Sequence, residues 1–179
     1  MSLTRDRLCL VQMSGGDGAC HIVQMPQTMT EGGAAAPNLA AMLADPAVTK
    51  LFHFARFDLA MLQRFVGPVA PPVYCTKIAS NLVRTYTERH GLKDLCGEIL
   101  GIELAKEMQS SDWAAAELLP AQLDYAAQDV LYLHRLRARL DAMLEREGRA
   151  GLARACFDFL PSRVALDLGG WPNTDIFAH

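Results

Sequence analysis

Short apolar runs alternate with helical periodicities as far as Gly101 in this chain, and only helical periodicities follow. Residues 8–13 (LCLVQM) and 19–25 (ACHIVQM) are β-like runs around the turn-forming Ser14-Gly15-Gly16-Asp17-Gly18, which predicts a β-hairpin with a loop of about four or five residues. Pro37–Ala44 reads as a short helix that Asp45-Pro46 ends. Residues 48–54 (VTKLFHF) are β-branched and aromatic and predict a strand. From 56 to 65, Phe57, Ala60, Met61 and Phe65 fall at helical spacing. Val73–Cys75 predicts another short strand, and Ile78, Leu82 and Val83 mark the next helix. Residues 91–100 form a short amphipathic helix closed by Gly101. A long helix is expected over 120–147, with a buried stripe of Leu123, Ala126, Ala127, Val130, Leu131, Leu133 and Leu136. A last helix over 152–160 should stop at Pro161, and 166–179 should wrap irregularly. The order β-β-α-β-α-β-α, then helices, predicts an α/β fold.

The length of 179 residues suits one domain. With 51% hydrophobic residues the chain builds a core, and disorder is excluded for most of it. The net charge of −3 argues against a basic coat for tight nonspecific nucleic-acid binding, but not against an enzyme that holds nucleic acid through metal ions. Cys9, Cys20, Cys75, Cys96 and Cys156 are odd in number and widely spaced, so they read as free thiols. No apolar run is long enough to span a membrane, and the N-terminus lacks the apolar core of a signal peptide. The expectation is a cytoplasmic protein without a membrane partner.

Three groups stand out for chemistry. Asp58 opens a helix directly after a strand, where open α/β sheets place ligand sites; it would also serve as an ordinary first-turn acid. Tyr125 and Asp129 are i and i+4 on one helix and share a face. Asp129 is flanked by Ala126, Ala127, Val130 and Leu131, so it should point into a crowded region and need a cation, either a metal or an arginine such as Arg135. His53 at a strand end reads as a hydrogen-bonded core residue or a ligand. Arg84, Arg89, His90 and Lys93 read as a solvated loop or a phosphate contact, and Trp113 as a core anchor or a base-stacking ring. Arg135, Arg137, Arg139, Arg146 and Arg149 with Asp141, Glu145 and Glu147 read as an ion-paired exposed helix end.

Taken together, residues 52–62 (FHFARFDLAML) resemble the second exonuclease motif of the ribonuclease D family, the catalytic-Tyr branch of the DEDD superfamily. Residues 122–130 (QLDYAAQDV) resemble its third motif, Tyr-x3-Asp, and 91–95 (GLKDL) and 106–113 (KEMQSSDW) resemble landmarks between them, in the right order. The resemblance runs from about Arg7 to the C-terminus. It implies a ribonuclease H-like fold, a mixed β-sheet flanked by helices, as a single exonuclease domain over 1–179 without an appended helical nucleic-acid-binding domain.

It also implies a 3′–5′ exoribonuclease that releases nucleoside 5′-monophosphates from single-stranded RNA 3′ ends. Four carboxylates would hold two ions, Mg²⁺ or Mn²⁺, about 4 Å apart. Asp58 and Asp129 would be ligands, Tyr125 would orient the attacking water, and His53, Phe57 and Lys93 would contact substrate. The family's first motif, Asp-x-Glu at the end of a strand, has no counterpart here. The first strand therefore reads as missing and the domain as N-terminally incomplete. The chain is then a fragment of an active enzyme, with its metal site empty or half-filled, or a non-catalytic relative that binds RNA or a protein partner. A sheet lacking that strand could pair with a second copy as a homodimer. Cys75-Thr76 stands where many relatives have Asp-Thr, and Cys75 is expected to be tolerated as a small buried residue.

Overall fold

A computed structural model describes residues 6–32, 36–105, 108 and 111–178. The hairpin forms as β1 (Leu10–Met13) and β2 (His21–Gln24), paired antiparallel with Val11 opposite Val23. Its connection is longer than expected. Ser14 Oγ accepts the Gly16 N–H and Asp17 Oδ1 accepts the Ala19 N–H, and these local bonds replace ladder bonds. Gly16, at φ 85°, lies against His134, and a Cβ there would meet the imidazole at 2.9 Å.

Helix α1 (Pro37–Ala44) follows, and then β3 (Lys50–Phe52). The strand expected over 48–54 is trimmed at both ends. Asp45 Oδ1 takes the Ala47 N–H at 2.8 Å, and Phe54 adopts left-handed backbone geometry. Helix α2 (Ala55–Phe65) leads to β4 (Val73–Cys75), parallel to β3, and β4 runs directly into α3 (Thr76–Val83). The expected mixed sheet is present as two separate two-stranded sheets, one antiparallel and one parallel. Helix α4 (Leu92–Leu95) continues into a π-helical segment, Cys96–Leu100, closed by Gly101 at φ 68°.

The single long helix expected over 120–147 is two, α5 (Pro120–Leu131) and α6 (Leu133–Arg146), broken at Tyr132 (φ −103°, ψ −3°). The halves serve different partners: α5 lies against the β1–β2 hairpin, and α6 against α3 and α7. The predicted stripe is therefore only partly buried. Ala126, Leu133 and Leu136 are buried, and Leu123 is exposed. Helix α7 (Ala150–Leu168) passes through Pro161, which does not end it. Phe157, Leu160 and Val164 continue one buried face across the exposed proline, and their burial outweighs the lost backbone bond.

The main apolar core joins α2, β4, α3, α6 and α7 through Leu59, Tyr74, Leu136, Leu140, Phe157 and Val164. Smaller clusters under the hairpin and α1 gather Met25, Met61 and Phe65, and Leu39, Leu43 and Leu62. All five cysteines are free thiols. Among the described residues no helix is long and apolar enough to cross a membrane.

Candidate active site

The carboxyl ends of β3 and β4 set the position of Asp58. Thr76 Oγ1 donates to the Phe52 carbonyl at 3.2 Å and lies 2.9 Å from His53 Nδ1. Since the threonine proton is used on Phe52, His53 donates from Nδ1 and keeps Nε2 as an acceptor. The Ala55 N–H meets Cys75 Sγ at 3.4 Å, so the buried thiol holds the start of α2 against the end of β4. The expected tolerance of Cys75 thus has a local reason. Asp58 sits in the first turn of α2, where the helix dipole favours negative charge.

Tyr125 and Asp129 come from α5. Gln122 fixes the start of that helix, accepting the Leu119 N–H at 2.9 Å and donating to the Asp112 carbonyl at 3.2 Å. Gln24 and Gln27 donate to the Ala115 and Ala114 carbonyls at 2.6 and 2.8 Å, tying the segment before α5 to the hairpin. Trp113 is not a core anchor. It is half-buried, with its ring centroid 6.0 Å from that of Tyr125.

From α5 the charge of Asp129 reaches both Asp58 on α2 and Tyr125. Burial, and then the charge of Asp129, push Asp58 up to about 7. Asp129 stands exposed at the open side of the site, not in the crowded interior that its apolar neighbours suggested. The protein mass around it still desolvates its carboxyl and raises it to about 6. Burial, then the charge of Asp129, raise Tyr125 above its ordinary value. Among the described residues neither carboxylate has an ion-pair partner, Arg135 included, and no group of three or more metal-ligating side chains occurs. Two carboxylates that repel each other without a protein cation are suited to a hard divalent ion.

The other expected residues divide. His53 is half-buried, and burial followed by the charge of Lys77 lowers it to about 4, so it is a neutral hydrogen-bonding group just past the end of β3. Phe57 packs against the Met25, Met29, Met61 and Phe65 cluster. Lys93 is exposed on α4. Arg84 belongs to no solvated loop. It is 1% exposed, pairs with Glu98 and donates to the Arg89 carbonyl at 2.7 Å. His90 meets Ser80 Oγ at 2.8 Å, and Arg89 pairs with Asp94 at 2.7 Å. In the 106–113 landmark, Lys106, Glu107, Gln109 and Ser110 lie outside the described residues.

Sequence reasoning missed Asp167. Its buried carboxylate binds Arg56 Nε at 2.5 Å and Arg163 Nη2 at 2.8 Å, fastening α7 to the first turn of α2. The available signal was the i,i+4 pair Arg163–Asp167, while the third partner is remote in sequence.

A family of 3′–5′ exonucleases matches residues 1–145. Ribonuclease D of Acidiphilium cryptum is 37% identical over 142 residues, 79% of this chain. That match covers 35% of the relative, so the chain spans about a third of its length. Among solved structures, Brucella melitensis NrnC superposes with a TM-score of 0.93 at 56% identity, covering 99% of this chain and 84% of that one. NrnC has also been solved with bound Mg²⁺ and bound to pGG, each with a TM-score of 0.92. Escherichia coli RNase D superposes with a TM-score of 0.74 at 27% identity, covering 87% of this chain and 40% of that one.

Proposed function

Because this chain belongs to the ribonuclease D-like family of 3′–5′ exonucleases, we propose that it shortens single-stranded RNA from the 3′ end and releases nucleoside 5′-monophosphates. One observation carries this reading: the charge of Asp129 bears on both Asp58 and Tyr125, and among the described residues neither carboxylate has a cation partner. NrnC bound to pGG supports a nucleotide ligand, and NrnC with bound Mg²⁺ supports a divalent metal.

The donor set fits Mg²⁺ or Mn²⁺ in kind, since both residues offer hard oxygens. Asp58 and Asp129 are the residues that would hold the metal. When bound, the metal activates a water and stabilises the leaving 3′ oxygen. Burial and the charge of Asp129 raise Tyr125 above its ordinary value, and its O–H would orient the attacking water. Neutral His53 adds an acceptor at Nε2 and no charge that would compete for the metal.

The test is digestion of a 5′-labelled oligoribonucleotide with Mn²⁺, read alongside thermal melting. Stepwise shortening from the 3′ end is expected. A saturating ion should raise Tm by about 5–10 °C, from about 2.7 kcal/mol at a hundredfold excess over Kd. Binding of the RNA without shortening at any Mn²⁺ or Mg²⁺ concentration overturns the catalytic reading and leaves the chain as an RNA-binding relative.

A further inference from the structure

Phe54 is the only non-glycine residue with positive φ among the described residues, at φ 67° and ψ 42°. That backbone region is sterically costly for a side chain bearing a Cβ, and Gly or Asn occupies it more readily. The aromatic ring gains no burial in exchange. It is 48% exposed and belongs to none of the three apolar clusters. Such strain persists where surrounding structure enforces it, and it concentrates at functional sites.

Its surroundings are specific. Phe54 is the N-cap of α2, and Asp58 lies four residues on, in the first turn of that helix. The ammonium of Lys77, in the first turn of α3, lies 4.4 Å from the ring centroid. A half-exposed aromatic ring with a cation over one face, at the start of the helix that carries Asp58, offers both halves of a nucleotide subsite, the other face for a base and the ammonium for a phosphate. Bases stack on aromatic rings whatever their identity, and an ammonium meets phosphate.

We propose that Phe54 is a stacking platform for a base near the RNA 3′ end, with Lys77 contacting an adjacent phosphate. This rests on the exonuclease reading for the identity of the ligand, and its test is separable from catalysis. The affinity of the full chain for a 5′-fluorescein-labelled short oligoribonucleotide is measured by anisotropy without divalent ions, for the unaltered protein, Phe54→Leu, Phe54→Trp, Phe54→Gly and Lys77→Ala. Phe54→Leu and Phe54→Gly are expected to weaken binding about tenfold, and Phe54→Trp to restore it. Phe54→Gly should also raise Tm, because it relieves the backbone. Lys77→Ala should weaken binding and reduce its salt dependence. In cleavage assays the Leu variant should raise KM and hold kcat within about twofold.

Equal binding by Phe54→Leu, or failure of Phe54→Trp to restore it, overturns the proposal. If the unaltered chain binds without cleaving, the exonuclease reading falls, and the stacking proposal is decided by the affinity comparison alone. If the unaltered chain does not bind the probe, the stacking proposal falls, while the exonuclease reading is decided by the digestion with Mn²⁺.

Discussion

Asp129 on α5 raises the proton affinity of Asp58 in the first turn of α2, although the two residues share no element of secondary structure. Carboxylates placed this way store repulsion that a divalent cation relieves.

A pH dependence follows. Asp58 and Asp129 are raised from 3.8 to about 7 and about 6, so between those values the folded state binds more protons than the unfolded one. Their contribution to stability is therefore greatest at acidic pH and declines as pH rises through this window. Metal binding runs the opposite way, because the ion takes the deprotonated pair. Thermal melts at about pH 5 and about pH 8 should show Mn²⁺ stabilisation at the higher pH and its loss at the lower. Equal Mn²⁺ shifts at both would contradict the assignment.

Asp129→Asn removes one charge of the pair. The metal-free protein should gain stability at neutral pH, as Asp58 loses its repulsive neighbour. Mn²⁺ stabilisation should vanish and cleavage should fall by more than about 100-fold, since loss even of an outer-shell partner costs 10–100-fold. Melting curves and RNA digestion on the same preparation check both halves.

Tyr125→Phe keeps the ring against Trp113 and deletes only the hydroxyl. Tm and Mn²⁺ stabilisation should be unchanged, while kcat on RNA falls by roughly 100-fold or more, the range for a positioned proton-handling group. A variant of undiminished rate would remove Tyr125 from the mechanism.

Asp167 carries the contact between α7 and the start of α2. Burial would raise its carboxyl, but hydrogen bonds and charge from Arg56 and Arg163 outweigh this and lower it. The lowered value means stability present above the ordinary carboxylate range and lost as pH falls through the folded pKa. Asp167→Ala should cost about 3 kcal/mol, or roughly 6–12 °C in Tm. Asp167→Asn should cost less, because its amide oxygen still accepts from the arginines. Differential scanning calorimetry of the two variants decides the order.

Much of this protein follows from local pattern. The hairpin, the strand–helix step at Asp58, the β4–α3 step and the Tyr125–Asp129 face are written in residues a few positions apart, because strand and helix periods are short-range properties. Long-range packing decided the rest. The helix breaks at Tyr132, with no Gly or Pro to announce it, because α5 and α6 cover different surfaces. Pro161 stays inside α7 because burial on both sides outweighs one absent hydrogen bond. Arg84, read as a loop charge, is buried because Glu98 lies within its reach. Trp113 leaves the core for the ring of Tyr125. Asp167 gains its partner Arg56 only where chain segments distant in sequence are brought together. Residue types and spacing determined which groups could do chemistry; tertiary contacts alone decided which of them meet, since a charge or a ring acts on whatever lies within a few ångströms in space, wherever it falls in the chain.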